Sequence, residues 1–207
     1  MDRMERYKKL EISMRSYLFG KAYYKALGAL EYAREKTPGM RKDGKTPSFE
    51  HQYEIAFFVS SLKDVRNPEL LFVGSFLHDL QEDMDISRFE IRNRFGEDAE
   101  RVVWKMTKKF EGQKKTTEIY FGELAEDPDA SLLKGADRIH NIQSMVGVFT
   151  VEKQKLYIEE VETWILPMLK KARHNFPDQS AAYFSISHML KTQIALIRAM
   201  HEAVKEA

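Results

Sequence analysis

The 207-residue sequence contains no cysteine. This absence excludes disulfide bonds, thiolate metal ligands and cysteine nucleophiles. Any metal site must therefore use histidine and carboxylate side chains. Glycine and proline are also scarce, with ten and six residues, and they cluster between segments of periodic apolar residues. So few turn-forming residues favour long helices over a turn-rich sheet protein.

The chain also lacks a charge excess and a long apolar run. Its 33 Lys and Arg residues against 32 Asp and Glu residues give a net charge of +1, which argues against general binding to nucleic acid or to a membrane surface. No stretch approaches the roughly 18 apolar residues of a membrane span. The charged amino terminus lacks the apolar core of a signal peptide. We therefore expect a cytoplasmic protein that binds neither nucleic acid nor membranes; its oligomeric state is unknown.

Apolar residues recur at three- and four-residue spacing along most of the chain, which predicts an almost all-α protein. One helix is predicted over 16–36, another from about Glu50 to Leu62, and a polar loop over 111–118. We expect a core over 1–150, including an N-terminal helix. Two long amphipathic segments, 151–207, are expected to pack on this core within a single structural domain.

The segment PELLFVGSFLHDLQED predicts a buried helix, because it is apolar nearly all round up to His78. Asn67 is its expected N-cap and Pro68 its first helical residue. Beyond the apolar part, His78 and Glu82 are four residues apart, and so are Asp79 and Asp83. Each pair is expected to share one helix face. The helix end thus carries four ionisable side chains.

Burying these groups without a counter-ion would cost several kcal/mol for each of them. A divalent cation would neutralise the carboxylates and take a neutral imidazole as a ligand. In the alternative interpretation the helix end simply passes into solvent, with His78 as a core histidine.

Two further positions complete a ligand set. His51 opens the helix that follows the RKDG loop, and Asp137 follows two small residues on an otherwise apolar helix face. With His78 and Asp79 they form a set of two histidines and two carboxylates on three helices. This mixture suits Mn²⁺, Fe²⁺, Co²⁺ or Zn²⁺ better than Ca²⁺ or Mg²⁺. Four protein ligands leave coordination positions for water and substrate.

The order H…HD…D, with HDxxED and a later KxADRxxN, resembles the HD-domain metal-dependent phosphohydrolases. Within them the chain is similar to the RelA/SpoT-type (p)ppGpp hydrolases, which include small standalone hydrolases. The resemblance covers roughly 20–150 and rests on the segments ALEYAREKTPGMRKDGKTPSFEH, LLFVGSFLHDLQED, FGEDAERVVWKMTK and LLKGADRIHN. It implies an all-α HD-domain helical bundle with additional C-terminal helices. The implied enzyme removes the 3′-pyrophosphate from (p)ppGpp to give GDP or GTP. We expect a hydrolase without a synthetase domain, because the chain has no room for one.

The resemblance also implies residue roles. It implies that one metal, commonly Mn²⁺ in this branch, is held by His51, His78, Asp79 and Asp137. Glu82 and Asp83 match the acidic pair that orients the metal-bound water or accepts its proton, and the sequence does not divide these roles. The residues expected near the phosphates or ribose of the nucleotide are Arg41, Lys42, Lys45, Lys134, Arg138 and Asn141. Arginine suits forked contacts to phosphate, whereas lysine acts as a mobile point charge.

Structural alternatives remain for several of these side chains. The loop cations also fit an ordinary solvated loop, Lys134 fits a structural pair with a core acid, and Arg138 fits a brace for its helix. His140 is interpreted as structural.

Four positions depart from the family pattern: Met40, Ser48, Gln52 and Gly135. They lie in or beside segments expected to shape the nucleotide pocket. They therefore leave open a different substrate, such as a (deoxy)nucleoside mono- or triphosphate. A third possibility is an HD scaffold that binds or regulates without turnover. The retention of all four ligand types together with the acidic pair argues against it.

Overall fold

A computed structural model describes residues 3–41 and 44–206, with side chains described up to residue 203. The chain is almost entirely helical, which confirms the predicted all-α class. Its elements are α1 (Arg3–Gly20), α2 (Tyr24–Lys36), α3 (Glu50–Ser60), α4 (Pro68–Leu77), α5 (Leu80–Met84), α6 (Arg88–Phe95), α7 (Glu97–Met106), β1 (Lys109–Phe110), β2 (Gln113–Lys114), α8 (Thr117–Ala125), α9 (Pro128–Met145), α10 (Val151–Glu160), α11 (Leu166–Asn175) and α12 (Ser180–Glu206).

The expected helix over 16–36 was wrong as a single element, because the chain turns between α1 and α2. Ala22 adopts a positive φ of 56° there, and the N–H of Tyr23 donates to the carbonyl of Leu18. The turn brings Tyr17 and Tyr23 onto the same partner, since both rings pack on Phe72 of α4. Helical periodicity continues across the turn in the sequence, so spacing alone does not reveal it.

Helix α4 is the central helix and packs against α2, α3, α7 and α9. Every residue from Leu71 to Leu77 is buried, as the all-round apolar pattern predicts. Each large apolar side chain buried in this way contributes about 1.5–3 kcal/mol. Asn67 occupies the expected N-cap position, but its side chain makes no capping hydrogen bond. Its amide instead donates to the carboxylate of Asp129.

The polar end of this central helix is not one continuous helix. Helix α4 ends at Leu77 and α5 begins at Leu80, so His78 and Asp79 lie in a turn. Both residues keep right-handed helical dihedral angles. The hydrogen bonds His78 N–H to Gly74 and Asp83 N–H to Asp79 also keep the helical four-residue spacing. The expected shared faces therefore survive the interruption.

The stretch predicted as a polar loop over 111–118 includes the turn and second strand of a small antiparallel hairpin, and its last two residues begin α8. Strand β1 pairs with β2 through Lys109 opposite Lys114 and Phe110 opposite Gln113. The hairpin follows α7 directly and contacts α5. It therefore borders the polar end of the central helix.

Two long helical runs form the C-terminal part, as predicted. Helices α10 and α11 are joined without a break by a π-helical segment, Val161–Ile165. Pro167 has no N–H to donate, which accounts for the altered hydrogen-bond ladder in the turn before it. Helix α12 packs on α9 and α11. Among the described residues, no helix combines the length and apolar character that crossing a membrane requires.

Candidate metal and nucleotide site

Three segments of the fold bring the predicted metal ligands together. His51 lies in the first turn of α3, His78 and Asp79 lie between α4 and α5, and Asp137 lies in the middle of α9. Helix α9 contacts both α3 and α4, which explains the convergence. The site thus sits where the apolar centre of the bundle meets its polar end.

The four side chains lie within a few ångströms of one another. His51 Nε2 is 3.2 Å from Asp137 Oδ1 and 3.9 Å from Asp79 Oδ2. His78 Nε2 is 3.1 Å from Asp79 Oδ1 and 3.9 Å from Asp137 Oδ1. One ligand atom each from His51, His78 and Asp79 lie within 4.8 Å of one another. The chain therefore contains a candidate metal site of mixed imidazole and carboxylate ligands.

The hydrogen bonding of His78 shows whether these residues fit a cation. Its Nδ1 lies 3.1 Å from the carbonyl oxygen of Ser75, which only accepts, so Nδ1 carries a proton. Its Nε2 is buried and has no hydrogen-bond partner among the described residues. That nitrogen nevertheless faces the carboxylates of Asp79 and Asp137. A lone pair beside two carboxylates calls for a proton or a cation, and the residues fit a divalent metal.

The electrostatics of the four side chains agree with this requirement. Burial lowers the pKa of His78, but the carboxylates of Asp79 and Asp137 outweigh burial and raise that pKa to about 9. Burial raises the pKa of Asp137, yet Lys134 and His51 bring it well below its usual range. The pKa of Asp79 is also lowered, because His78 outweighs burial. A positive charge is thus favoured at the centre of the cluster.

A second layer of side chains holds the candidate ligands. Gln52 Nε2 donates to Asp79 Oδ2 at 3.3 Å, and the Nδ1 atoms of His51 and His140 are 2.6 Å apart. Neither role is predicted from the sequence, in which Gln52 is only a departure from the family pattern and His140 is interpreted as structural. The only sequence signals for these roles are the adjacency of Gln52 to His51 and the position of His140 three residues after Asp137.

The acidic pair Glu82 and Asp83 lies on α5, exposed at the same opening. Both residues line a cavity of about 380 Å³ whose wall also includes the four candidate ligands. Glu82 Oε2 accepts a hydrogen bond from the backbone N–H of Lys108 at 3.0 Å, so the start of the hairpin orients this carboxylate. Partial burial of its carboxyl group and the negative charges of Asp79 and Glu82 raise the pKa of Asp83.

A larger cavity of about 510 Å³ adjoins the first. Arg41 and Asn141 line both cavities, and Arg41 Nη2 donates to Ser144 Oγ at 3.2 Å. The wall of the larger cavity also includes Tyr157 and, from α1, Arg6, which pairs with Glu50 and Glu54 of the same wall. The two cavities thus share Arg41 and Asn141, and the larger one is lined by acidic, basic and aromatic side chains.

Of the remaining predicted substrate contacts, some line the smaller cavity and others do not. Lys134 and Arg138 line the smaller cavity, but each has an ionic partner there. Lys134 Nζ donates to Asp137 Oδ2 at 2.8 Å, and Arg138 pairs with Glu160 at 2.7 Å. Lys45 is exposed and belongs to neither cavity wall. Lys42 lies outside the described residues.

The structure also locates two of the departures from the family pattern. Met40 is 56% exposed, pairs with Pro47 across the base of its loop and lines neither cavity. Gly135 lies in the segment of α9 whose Lys134, Asp137 and Arg138 line the smaller cavity, as expected, but it faces the other side of the helix. A Cβ atom there would meet Ile186 and Leu169, so this glycine faces α11 and α12.

Comparison with known proteins supports an all-α domain of the HD type. No family model matches the chain. A guanosine-3′,5′-bis(diphosphate) 3′-pyrophosphohydrolase of Aquifex aeolicus (strain VF5) is 30% identical over 145 residues, which are 68% of this chain and 20% of that protein. A GTP pyrophosphokinase rsh of Brucella ovis (strain ATCC 25840 / 63/290 / NCTC 10512) is 28% identical over 176 residues, 81% of this chain and 22% of that protein. The chain thus spans about a fifth of the length of these curated relatives.

A solved structure described as a metazoan ortholog of SpoT that hydrolyzes ppGpp has the same fold. It matches with a TM-score of 0.64 and 21% identity, over 82% of this chain and 95% of that one. The HD-domain helical bundle predicted from the sequence is therefore confirmed. The resemblance of this chain to the HD-domain hydrolases of the RelA/SpoT type is confirmed as well.

Proposed function

We propose that this chain is a metal-dependent hydrolase that removes the 3′-pyrophosphate from (p)ppGpp and leaves GDP or GTP. The main support is a cluster of two histidines and two carboxylates in which both carboxylates face His78 Nε2. An acidic pair and two adjoining cavities lie beside this cluster. The relatives named as (p)ppGpp pyrophosphohydrolases and the ppGpp-hydrolysing structural neighbour favour this substrate. The net reaction consumes one water and breaks the bond between the 3′-oxygen and its phosphorus.

The proposed cofactor is one divalent cation, Mn²⁺ in preference to Fe²⁺, Co²⁺ or Zn²⁺, held by His51, His78, Asp79 and Asp137. The mixture of imidazole nitrogen and carboxylate oxygen suits these metals. When bound, such a cation acts as a Lewis acid that lowers the pKa of water and offsets phosphate charge. The preference for Mn²⁺ comes from the family resemblance.

Glu82 and Asp83 are proposed to orient the attacking water and to take its proton. Both carboxylates are exposed to the cavity that contains the ligand cluster. Its raised pKa suits Asp83 to accept a proton, because a base is more effective as its pKa approaches the working pH. The backbone N–H of Lys108 holds Glu82, which suits a role in orienting water.

The phosphates and ribose are proposed to contact Arg41 and Asn141, which line both cavities. Lys134 and Arg138 contribute positive charge from the wall, although each already has an acidic partner. Lys42 and Lys45, which follow Arg41 in the sequence, complete the proposed substrate cations.

A cytoplasmic location and the packing of 151–207 with the core as one domain stay predictions, as do the absence of nucleic-acid and membrane partners.

Product identification tests this function. Purified protein with Mn²⁺ is incubated with ppGpp labelled in its 3′-pyrophosphate, and in parallel with GTP and the deoxynucleoside mono- and triphosphates. We expect labelled pyrophosphate and GDP, with neither product from the Asp79→Ala variant. Rapid hydrolysis of ordinary nucleotides with ppGpp untouched would establish the alternative substrate class. Metal binding without any turnover would instead identify a binding module.

A further inference from the structure

His51 contacts a second histidine through Nδ1, while its Nε2 faces the acidic cluster. Its Nδ1 lies 2.6 Å from Nδ1 of His140, and the two ring centroids are 4.8 Å apart. Both residues are only 8% exposed. They come from α3 and α9 and are separated by 89 positions in the sequence. The contact is therefore a product of the fold.

A distance of 2.6 Å between two ring nitrogens requires one shared proton. Two bare lone pairs would repel each other, and two N–H groups would clash. One of the two Nδ1 atoms is therefore the donor and the other is the acceptor. The choice fixes the tautomer of both rings.

A cation bound by the cluster decides which nitrogen donates. His51 Nε2 faces the acidic side, 3.2 Å from Asp137 Oδ1, so it is the nitrogen available as a metal ligand. A ligand nitrogen offers its lone pair, which leaves the proton of a neutral His51 on Nδ1. That proton points at His140 Nδ1, which must then be bare. His140 consequently carries its own proton on Nε2.

We propose that His140 is a positioning residue, which accepts the Nδ1–H of His51 and thereby holds Nε2 of that histidine ready for the metal. Metal-binding histidines generally donate their second N–H to an acceptor that fixes the ring. His78 uses the backbone carbonyl of Ser75 in this way. His51 uses a second imidazole. One turn of α9, from Asp137 to His140, thus contacts both nitrogens of His51.

The inference rests on the proposed function only in taking the four-residue cluster as a metal site. It is tested first by calorimetric titration of the full chain with Mn²⁺ alone, without nucleotide. His140→Phe keeps a flat ring but removes the acceptor, and we expect its Mn²⁺ affinity to be about 10–100-fold weaker. His140→Asn restores an acceptor near the position of Nδ1 and is expected to recover most of that loss. His188→Phe, at an exposed histidine of α12, is the matched control.

Nitrogen-15 NMR of the wild-type protein provides a second readout that needs no variant to fold. In the diamagnetic Zn²⁺ complex we expect His51 to be protonated at Nδ1, with a scalar coupling across the hydrogen bond to His140 Nδ1. Mn²⁺ affinity within twofold of wild type in a folded His140→Phe variant would overturn the inference. So would a proton on His140 Nδ1 in the Zn²⁺ complex.

These measurements separate the inference from the proposed function. Mn²⁺ binding that depends on His140, in a protein that does not hydrolyse (p)ppGpp, overturns the function and supports the inference. Turnover by a protein whose metal affinity does not depend on His140 supports the function and overturns the inference. A wild-type chain that binds neither Mn²⁺ nor Zn²⁺ overturns both.

Discussion

Lys134 and Asp137 lie one helical turn apart on α9, and Lys134 Nζ donates to Asp137 Oδ2 at 2.8 Å. The other carboxylate oxygen, Oδ1, accepts from Asn141 Nδ2 at 2.7 Å. Helix α9 therefore supplies the candidate ligand together with two groups that fix its orientation. Lys134 also helps to hold the pKa of Asp137 well below its usual range despite burial. The carboxylate is thus ionised and oriented before any cation arrives.

Removing the negative charge of Asp137 is expected to abolish the stabilisation of the folded state by the metal. A ligand that binds only the folded state raises the free energy of unfolding by about 2.7 kcal/mol at a concentration of one hundred times its dissociation constant. We expect Mn²⁺ to stabilise the wild type in this manner and to have little effect on Asp137→Asn. The measurement is urea unfolding in Mn²⁺ and in EDTA. Asp85→Asn is the control, because Asp85 is exposed and its positive φ of 51° suits asparagine. Equal stabilisation of both variants would exclude Asp137 as a ligand.

The acidic pair is expected to affect turnover without affecting metal binding. Glu82 and Asp83 line the site cavity but lie outside the four-residue cluster. The double variant Glu82→Gln with Asp83→Asn keeps the shape of both side chains and removes both bases. We expect its turnover number to fall by about 10²–10⁴-fold, as for a lost proton-transfer group, with Mn²⁺ affinity nearly unchanged.

The two single variants divide the roles within this pair. Asp83→Asn is expected to carry most of the loss and to change the pH–rate profile, because Asp83 has the raised pKa. Glu82→Gln retains an oxygen that can accept from the N–H of Lys108. It should therefore lose less activity. Unchanged rates in the double variant would refute the assigned role.

The sequence predicted the polar half of the site better than its surroundings. HDLQED and ADRIHN are local motifs, so residue type and spacing predict His78, Asp79 and Asp137, whereas the role of Asn141 is implied by the family resemblance. Gln52 and His140 act on residues that distant segments of the chain bring beside them. Their hydrogen bonds depend on how α3, α4 and α9 pack. The contribution of Arg6 to the larger cavity likewise depends on where α1 lies across the bundle. No local pattern records such contacts.

Gly135 is expected to be a packing requirement of the C-terminal helices. A Cβ atom at this position would lie 2.5 Å from Ile186 Cγ2 and 3.1 Å from Leu169 Cδ2. Overpacking of this kind usually costs about 1–3 kcal/mol, and we expect Gly135→Ala to lower the free energy of unfolding by that amount. Gly28→Ala is the control, because a Cβ atom at Gly28 meets nothing within 4 Å. Replacing a helix-interior glycine with alanine there should stabilise by up to about 1 kcal/mol. Urea unfolding in EDTA measures both, and equal effects of the two variants would contradict the assigned contact.

Tyr183 is expected to make the attachment of α12 sensitive to alkaline pH. Its hydroxyl lies 2.8 Å from Ser131 Oγ on α9, and burial raises its pKa from 10 to about 12. Above pH 10 the unfolded chain therefore loses this proton before the folded chain does. The free energy of unfolding should fall between pH 10 and pH 12, by at most about 3 kcal/mol from this group. Below pH 10 both states keep the proton and the group contributes no pH dependence.

Tyr183→Phe removes the titrating hydroxyl and its hydrogen bonds with Ser131 Oγ and the Pro128 carbonyl. We expect the variant to be less stable than wild type by about 1–2 kcal/mol at pH 8, because each hydrogen bond usually contributes about 1 kcal/mol net. Its stability should then decline less steeply between pH 10 and pH 12, with a smaller residual decline from other buried tyrosines such as Tyr53, whose pKa is also raised by burial. Tyr24→Phe, at a side chain 62% exposed, is the control and should follow the wild-type curve. Urea unfolding at successive pH values in EDTA measures these slopes. If Tyr183→Phe and wild type decline in parallel, the hydroxyl of Tyr183 does not titrate in this window and its hydrogen bond to α9 is not what the alkaline transition breaks.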